Sequence, residues 1–208
     1  MTMNSSHQFD EIAPTWDSDP VKVARALAVA EGIRNRVPLT RQMHALEYGC
    51  GTGLLGFALQ ACLGRITLAD SSPGMLATLD EKIAAARSSN LHSMKLDLTS
   101  DPLPAERYDL ICSLMTFHHI DDTGGLLRDL FALLGSPGYL CVADLDTEDG
   151  SFHGPGFAGH NGFDRGLLEH AAQAVGFHSI EFATVFHMSK PDSTGQTEFP
   201  VFLMVAAK

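Results

Sequence analysis

The chain has 208 residues, 45% hydrophobic and 19% charged, values that exclude wholesale disorder, a collagen triple helix and a coiled coil. Fourteen Lys and Arg residues face 25 Asp and Glu residues, which gives a formal net charge of −11. Such a charge repels phosphate backbones and anionic lipid. We therefore expect no nucleic acid partner. No apolar run is long enough to cross a bilayer, and residues 1–7 lack a basic region followed by an apolar one, so we also expect no membrane partner and a cytoplasmic location.

The cysteines are widely spaced and form no metal-binding pattern. Three of the four lie in or beside apolar runs, so we expect reduced core residues at Cys50, Cys62, Cys112 and Cys141. No repeat or low-complexity linker interrupts the chain. The sequence therefore predicts one domain over residues 1–208, with an N-terminal segment and helix (1–38) before a core (39–208).

Taken in chain order, residues 1–16 are expected to be irregular. Asp17 to Pro20 reads as the start of a helix that runs to Val37, with Val23, Leu27 and Ala30 spaced along one face. From residue 43 onward, short apolar runs alternate with helical patterns, as in βαβ units. The expected strands are 43–48, 65–70, 92–96, 108–114 and 138–144. This alternation predicts a doubly wound α/β sheet.

The expected helices have clear start and stop signals. Ser72-Pro73 begins one helix, a second begins near Thr123 and ends at Gly135, and Asp164 caps a third that Gly176 closes. Beyond them, residues 180–188 and 199–206 are two strand-like runs with only a loop, 189–198, between them. Parallel strands need a long crossover, so this pair is expected to be antiparallel at one sheet edge.

A glycine-rich turn follows the first expected strand. Gly49, Gly51 and Gly53 alternate before a helix, an arrangement that lets a ligand approach the backbone at the helix N-terminus. The dinucleotide pattern G-x-G-x-x-G would need glycine at position 54, where Leu54 stands. Asp70 ends the second strand, where an acidic side chain can bind ribose hydroxyls. An ordinary turn and a helix cap are the structural alternatives.

These motifs resemble those of the class I S-adenosylmethionine-dependent methyltransferases, in particular the small-molecule branch that includes the ubiquinone and menaquinone biosynthesis methyltransferases. The similarity covers roughly residues 9–206. Its motifs are the E-x-G-x-G-x-G loop at 47–53, the segment 68–76, Leu96-Asp97-Leu98, and the run from Tyr108 to Ile120. The resemblance implies a Rossmann-like seven-stranded sheet of order 3-2-1-4-5-7-6, with strand 7 antiparallel and helices on both faces.

The resemblance also implies the cofactor S-adenosylmethionine, converted to S-adenosylhomocysteine. The backbone of Gly49 and Gly51 would cradle its methionine part, Glu47 would support the loop and the ammonium group, and Asp70 would take both ribose hydroxyls. Met75, Asp97 and Leu98 would surround the adenine, although Met75 and Leu98 also fit plain core packing. The implied site consists of Glu47, Gly49, Cys50, Gly51, Gly53, Asp70, Ser71, Met75, Asp97, Leu98 and the main chain at Leu114.

Substrate-side candidates follow the fourth and fifth strands, because ligands bind at the carboxyl edge of such sheets. They are His118, His119, Asp144, Asp146, Phe152 and His153. His118 is the candidate proton acceptor, and the alternative is a packed ring that only shapes the pocket. A metal set from Asp144, Asp146, His153 and His160 matches no defined spacing, and the glycines within 145–162 favour a flexible lid. We therefore expect no metal.

Trp16, the only tryptophan, either covers the cofactor pocket or pins a surface segment. The sequence as a whole predicts an enzyme, monomeric or homodimeric, that transfers a methyl group to an oxygen, nitrogen or carbon atom of a small molecule. A nicotinamide-dependent oxidoreductase and a non-catalytic S-adenosylmethionine-binding module remain the alternatives, since a fold alone does not establish activity.

Overall fold

A computed structural model describes residues 9–192 and 195–208. Seven strands form one sheet of order β3-β2-β1-β4-β5-β7-β6, and β7 is antiparallel to both of its neighbours, so the predicted sheet order is confirmed. The strands are β1 (His44–Tyr48), β2 (Arg65–Asp70), β3 (Leu91–Lys95), β4 (Tyr108–Leu114), β5 (Leu134–Leu145), β6 (His178–Asp192) and β7 (Gly195–Ala207).

Helices connect the parallel strands and begin at the predicted caps. Side chains of Asp19, Ser72 and Asp164 each accept a backbone N–H of the first helical turn, which satisfies a donor that the helix leaves unpaired. The helices are α1 (Pro20–Arg34), α2 (Leu54–Leu59), α3 (Pro73–Ala86), α4 (Thr123–Leu133) and α5 (Arg165–Val175). Within the described residues, no helix combines the length and apolar character needed to span a membrane.

Alternate residues of the strands face opposite sides of the sheet, and both sides are covered. On one side Ala45, Leu68 and Leu110 pack with residues of α1, α2 and α3. On the other side Leu46 and Ile111 pack with residues of α4 and α5. This two-sided burial explains the continuous apolar runs that identified the strands.

Three predicted boundaries or faces are wrong. Residues 9–16, expected to be irregular, form helical turns that continue to Ser18, and we call the segment 9–18 the strap. Residues 1–8 lie outside the described part. Helix α1 ends at Arg34 and buries the face that carries Arg25, Ala26 and Val29, whereas Leu27 is 54% exposed. Leu134, assigned to a helix from its apolar spacing, instead begins β5 and pairs with Tyr108.

The C-terminal hairpin is longer than predicted. Its strands continue through the expected loop to Asp192 and from Gly195, and residues 193–194 lie outside the described part. Strand β5 pairs with β7 only from Val201 onward. The ladder of residues 187–192 with 195–200 therefore projects past the carboxyl end of β5, and we call it the arm. It lies at the edge where ligands bind in doubly wound sheets.

Candidate functional site

The glycine loop leaves β1 in a conformation that suits glycine. Gly49, Gly51 and Gly53 have φ values of +71°, +54° and +79°, in the left-handed region. A Cβ at Gly49 would lie 2.3 Å from the Thr116 side chain, whereas one at Gly51 would meet nothing nearer than Met75 Sδ at 3.8 Å. The loop is therefore closed against the turn after β4 at Gly49 and faces open space at Gly51.

Asp70 lies at the end of β2 and is tied to the same loop. Its Oδ2 accepts the Gly51 N–H at 2.7 Å and its Oδ1 accepts the Ser72 N–H at 2.9 Å. Burial raises the pKa of Asp70, although its backbone hydrogen bonds act against the rise. The Ser71 N–H is a further backbone donor to this carboxylate, and contact of Asp70 with ribose hydroxyls stays a prediction.

Glu47 lies beneath the loop rather than on its surface. The side chain is buried, with the residue 2% exposed, and its Oε2 accepts the Gly56 N–H at 2.8 Å. Burial raises the pKa of Glu47 to about 8, because the charged carboxylate loses its hydration. The structure thus shows the loop-supporting contact, and contact with a ligand ammonium stays a prediction.

The residues expected around the adenine, Met75, Asp97 and Leu98, lie at the same edge of the sheet. The Leu98 N–H, however, has a different partner from the one expected. Met75 is buried beside the Gly51 position, and Asp97 uses Oδ1 to accept from Thr99. The Leu98 N–H, expected to meet an adenine ring, donates instead to the Tyr48 hydroxyl at 3.2 Å. Contact between Leu98 and adenine would therefore require Tyr48 to give up this bond. Sequence reasoning missed Tyr48 because it reads as an ordinary strand residue.

The loop and the turn after β4 are also joined directly. Thr116 Oγ1 lies within hydrogen-bonding distance of the Gly49 carbonyl at 3.2 Å and the Leu114 carbonyl at 3.3 Å. Cys50 is buried, and its N–H donates to the Ala69 carbonyl. These contacts hold the main chain at Leu114 against the glycine loop, where the family resemblance implies an ammonium contact. Thr116 is a second residue that the sequence did not single out.

Two carboxylates fasten the strap to this region. Asp10 Oδ1 accepts the Ser72 hydroxyl at 2.6 Å, at the start of α3. Asp17 accepts the Thr52 hydroxyl at 2.5 Å and pairs with Lys82 Nζ at 2.5 Å. The strap therefore bridges the glycine loop and helix α3.

The strap carries aromatic rings across the open side of the loop. Trp16 Nε1 lies 3.9 Å from the position of a Cβ on Gly51, and the Phe9 ring contacts both Trp16 and His119, with centroid separations of 5.9 and 5.5 Å. This placement puts Trp16 beside the open side of the glycine loop, and its covering of the cofactor stays a prediction. The placement also makes a continuous aromatic wall from the glycine loop to the histidines after β4.

A buried His-Asp pair lies at the end of this wall. The parallel pairing of β4 with β5 brings His118, just past β4, next to Asp144 near the end of β5. His118 Nδ1 lies 2.6 Å from Asp144 Oδ1, and both side chains are 1% exposed. Asp144 also accepts the N–H groups of Leu145 and His118. With Asp144 ionised, Nδ1 is the protonated nitrogen and Nε2 is left as the acceptor.

Three further rings pack around His118. His119 and His153 have centroids 4.1 and 4.9 Å from it, and Phe157 stacks on His153 at 3.8 Å. Burial, followed by the neighbouring imidazoles, lowers the pKa of His119 to about 3, and burial and His118 lower that of His153 to about 4. Near neutral pH both therefore act as uncharged rings, and His118 is the one backed by a carboxylate.

The structure does not bring together the metal set considered from the sequence. Asp146 makes a two-point ion pair with Arg165 at 2.7 and 2.6 Å, and His160 Nε2 lies 3.0 Å from the Ile120 carbonyl. Among the residues the structure describes, no group of three His, Cys, Asp or Glu side chains is arranged to hold a metal ion. Of that set, Asp144 and His153 remain beside His118.

The segment 145–162 folds back over the His-Asp pair. Its base is closed by backbone hydrogen bonds, including Glu148 N–H to the Asn161 carbonyl, and His160 N–H donates to the His118 carbonyl at 2.8 Å. Gly154 and Gly156 have positive φ values and nothing within 4 Å of a Cβ position. The segment is thus anchored at its ends and open in its middle, as expected of a lid.

Comparison with known proteins agrees with this geometry. A family model described as a methyltransferase domain matches residues 45–138. Malonyl-[acyl-carrier protein] O-methyltransferase 1 of Ilyobacter polytropus is 37% identical over 110 residues, covering 52% of this chain and 40% of that protein. Ubiquinone biosynthesis O-methyltransferase of Rhodopseudomonas palustris is 26% identical over 129 residues, covering 62% of this chain and 46% of that protein. The chain spans about half the length of the curated relatives it matches.

The fold extends beyond that shared stretch. A Haloferax volcanii methyltransferase solved in complex with the Trm112 activator superposes with a TM-score of 0.74 at 18% identity, covering 96% of each chain. That likeness shows the fold. The matched methyltransferase domain, the curated relatives and the E-x-G-x-G-x-G loop agree with the resemblance to the class I S-adenosylmethionine-dependent methyltransferases.

Proposed function

We propose that the chain transfers the methyl group of S-adenosylmethionine to an oxygen or nitrogen atom of a small molecule, with His118 as the general base. The observation that carries this proposal is the buried pair of His118 with Asp144, 2.6 Å apart. It lies at the carboxyl edge of the sheet and is joined to the glycine loop by an aromatic wall.

The residues present fit the cofactor. The space beyond Gly51 has no atom nearer than 3.8 Å to a Cβ position, and the Asp70 carboxylate at its edge offers its remaining acceptor capacity to ribose hydroxyls. Asp70 also supplies a carboxylate near a cationic ligand, whereas burial raises the pKa of Glu47 to about 8 and leaves it mostly protonated near neutral pH. When bound, S-adenosylmethionine supplies an electrophilic methyl group on a sulfonium, so the protein must align the acceptor, exclude water and remove a proton where one is lost.

Each part of the acceptor side has a task. Asp144 holds the Nδ1–H of His118 and directs Nε2 to receive the proton of the acceptor. The neutral rings of His119, His153 and Phe157 exclude water from that proton transfer. A base is needed for a hydroxyl or amine acceptor and not for a carboxylate or thioether, which is why we favour oxygen or nitrogen with an acidic proton. The names of the two O-methyltransferase relatives support oxygen.

The mechanism is tested by a set of variants assayed for methyl transfer across pH. His118→Gln removes the base. Asp144→Asn replaces the carboxylate by an amide, whose N–H group favours the His118 tautomer that lacks the proton on Nδ1. Either change should lower the rate by roughly 10²–10⁴-fold and remove the acid limb of the pH profile. His92→Gln, at an exposed site on β3, is the control. An unchanged pH profile in His118→Gln would show that this ring only shapes the pocket.

A calorimetric titration tests the cofactor against the oxidoreductase alternative. We expect S-adenosylhomocysteine to bind and NADH not to bind, because Leu54 replaces the third glycine of the dinucleotide pattern. Binding of S-adenosylhomocysteine without methyl transfer to any acceptor would favour the non-catalytic module. The free thiols and the acidic composition support a cytoplasmic enzyme, and gel filtration tests the proposed monomer or homodimer.

A further inference from the structure

Arg25 is buried on the inner face of α1. The residue is 7% exposed, and in the part of the chain that the structure describes its Nε is a buried donor with no hydrogen-bond acceptor. The guanidinium Nη1 donates to the thioether sulfur of Met188 at 3.0 Å, and a thioether sulfur is a weak acceptor. Among the side chains of residues 9–190 and 196–208, no carboxylate oxygen lies within 4 Å of its nitrogens.

Such an arrangement is costly for a folded protein. Removing a guanidinium from water costs several kcal/mol unless an anion or good hydrogen bonds compensate. Burial lowers the pKa of Arg25, and the charges of Asp144 and Asp19 act against that decrease. Asp144 accepts from His118 and Leu145 and forms its ion pair with His118 rather than with Arg25. The cation is therefore held near the His-Asp pair without being neutralised by contact.

The surroundings of Arg25 belong to the acceptor side of the site. Met188 lies on the arm, opposite Phe199, and the Phe199 ring contacts Phe152 of the lid at 5.2 Å. Phe152 in turn contacts His153, which packs on His118. Arg25 thus lies behind an apolar wall formed by the arm and the lid, within reach of the charge of Asp144.

The other cation of this wall already has partners. Lys190 donates to the Phe152 carbonyl, its ammonium lies over the Phe152 ring at 3.9 Å, and it is attracted by Glu148. Of Lys190 and Arg25, Arg25 is therefore the cation whose charge a ligand could neutralise. A planar guanidinium with free donors fits a carboxylate, which accepts two parallel N–H bonds.

We propose that Arg25 binds a carboxylate of the methyl acceptor, so that the substrates of this enzyme are small organic acids with an apolar or aromatic body. This inference rests on the proposed function, since it names the substrate class of the same site. Arg25 is then a specificity-determining residue. Arg25 binds the carboxylate of the acceptor. The apolar wall formed by the arm and the lid packs against the body of the acceptor, whose nucleophilic atom lies toward His118.

The test uses benzoate and its neutral counterpart benzamide as probes, with saturating S-adenosylhomocysteine and ligand-observed NMR. The wild-type protein should bind benzoate at least tenfold more tightly than benzamide, because a charge-assisted two-point bond is available only to the acid. Arg25→Met should bring the two affinities within about twofold. Arg34→Met, at an exposed position of the same helix, should behave as the wild type.

Two controls separate the outcomes. Affinity for S-adenosylhomocysteine should be equal in all three proteins, and its absence in the wild type would refute the proposed function rather than the role of Arg25. Arg25→Lys keeps the positive charge but not the two-point geometry of the guanidinium, and it should retain part of the preference for benzoate over benzamide. This variant provides the test if Arg25→Met fails to fold. A preference for benzoate that survives in Arg25→Met, or no preference in the wild type, would overturn the inference.

Discussion

Replacing Glu47 with glutamine should remove the part of the pH dependence of the free energy of unfolding that comes from this carboxyl group. In the native state the Glu47 carboxyl has a pKa of about 8, raised from 4.5 by burial. Between these values the native state holds a proton that the unfolded chain has released. The free energy of unfolding of the wild type therefore falls as pH rises through this window, by about 1.4 kcal/mol per pH unit.

The structure gives the size of the effect. Glutamine can accept the same Gly56 N–H bond that Glu47 accepts at 2.8 Å, and it does not ionise. A pH-independent cost of burying the glutamine amide would lower the free energy of unfolding equally at every pH, without changing its slope against pH. Between pH 5 and pH 8 the stability of Glu47→Gln relative to the wild type should thus rise by about 3–4 kcal/mol.

Urea unfolding followed by far-UV circular dichroism at pH 5, 6, 7 and 8 measures this difference. The exposed Glu31 on α1 supplies the control, because Glu31→Gln removes a solvated charge and should follow the wild-type curve. Parallel stability curves for Glu47→Gln and the wild type would refute the reasoning, since they would mean that Glu47 is ionised in the folded protein at neutral pH.

Three further predictions concern the cofactor side. Asp70→Ala should weaken S-adenosylhomocysteine binding by roughly ten- to a hundred-fold, about 1.5–3 kcal/mol in calorimetry, because charge-assisted bonds to hydroxyls are lost; unchanged affinity would refute this role. Gly51→Ala should cost about 1–2 kcal/mol of stability, because its φ is +54°, and should lower cofactor affinity at least tenfold by filling the space beside Trp16; normal binding would place the pocket elsewhere. Asp17→Ala should release the strap from Lys82 and shift the emission of Trp16 to longer wavelength, and an unchanged spectrum would contradict that clamp.

Sheet topology and the glycine loop could be predicted because their signals are local. Each parallel strand is an apolar run between turn residues, and the positive φ values at Gly49 and Gly51 leave a glycine signature. The sequence order of strands and helices then leaves few topologies. For the same reason Asp70 could be assigned to the edge of the sheet next to the loop.

The other features depend on contacts between distant segments. Apolar spacing placed Leu27 on the buried face of α1, whereas the arm covers the opposite face and buries Arg25. The arm itself contains polar residues and Pro191, which read as a loop, but they pair with the partner strand beyond the sheet. The pairing of His118 with Asp144 joins residues 26 positions apart and follows only once β4 and β5 are neighbours.

Methyl transfer from labelled cofactor is the measurement that tests the central claim most directly. The purified protein would be incubated with methyl-labelled S-adenosylmethionine and a metabolite extract, alongside Asp70→Ala as the matched control. The account predicts label in the small-molecule fraction with the wild type, at least tenfold less with Asp70→Ala at limiting cofactor, and none in added protein or nucleic acid. Label in protein or nucleic acid, or no label from a wild-type protein that binds S-adenosylhomocysteine, would contradict it.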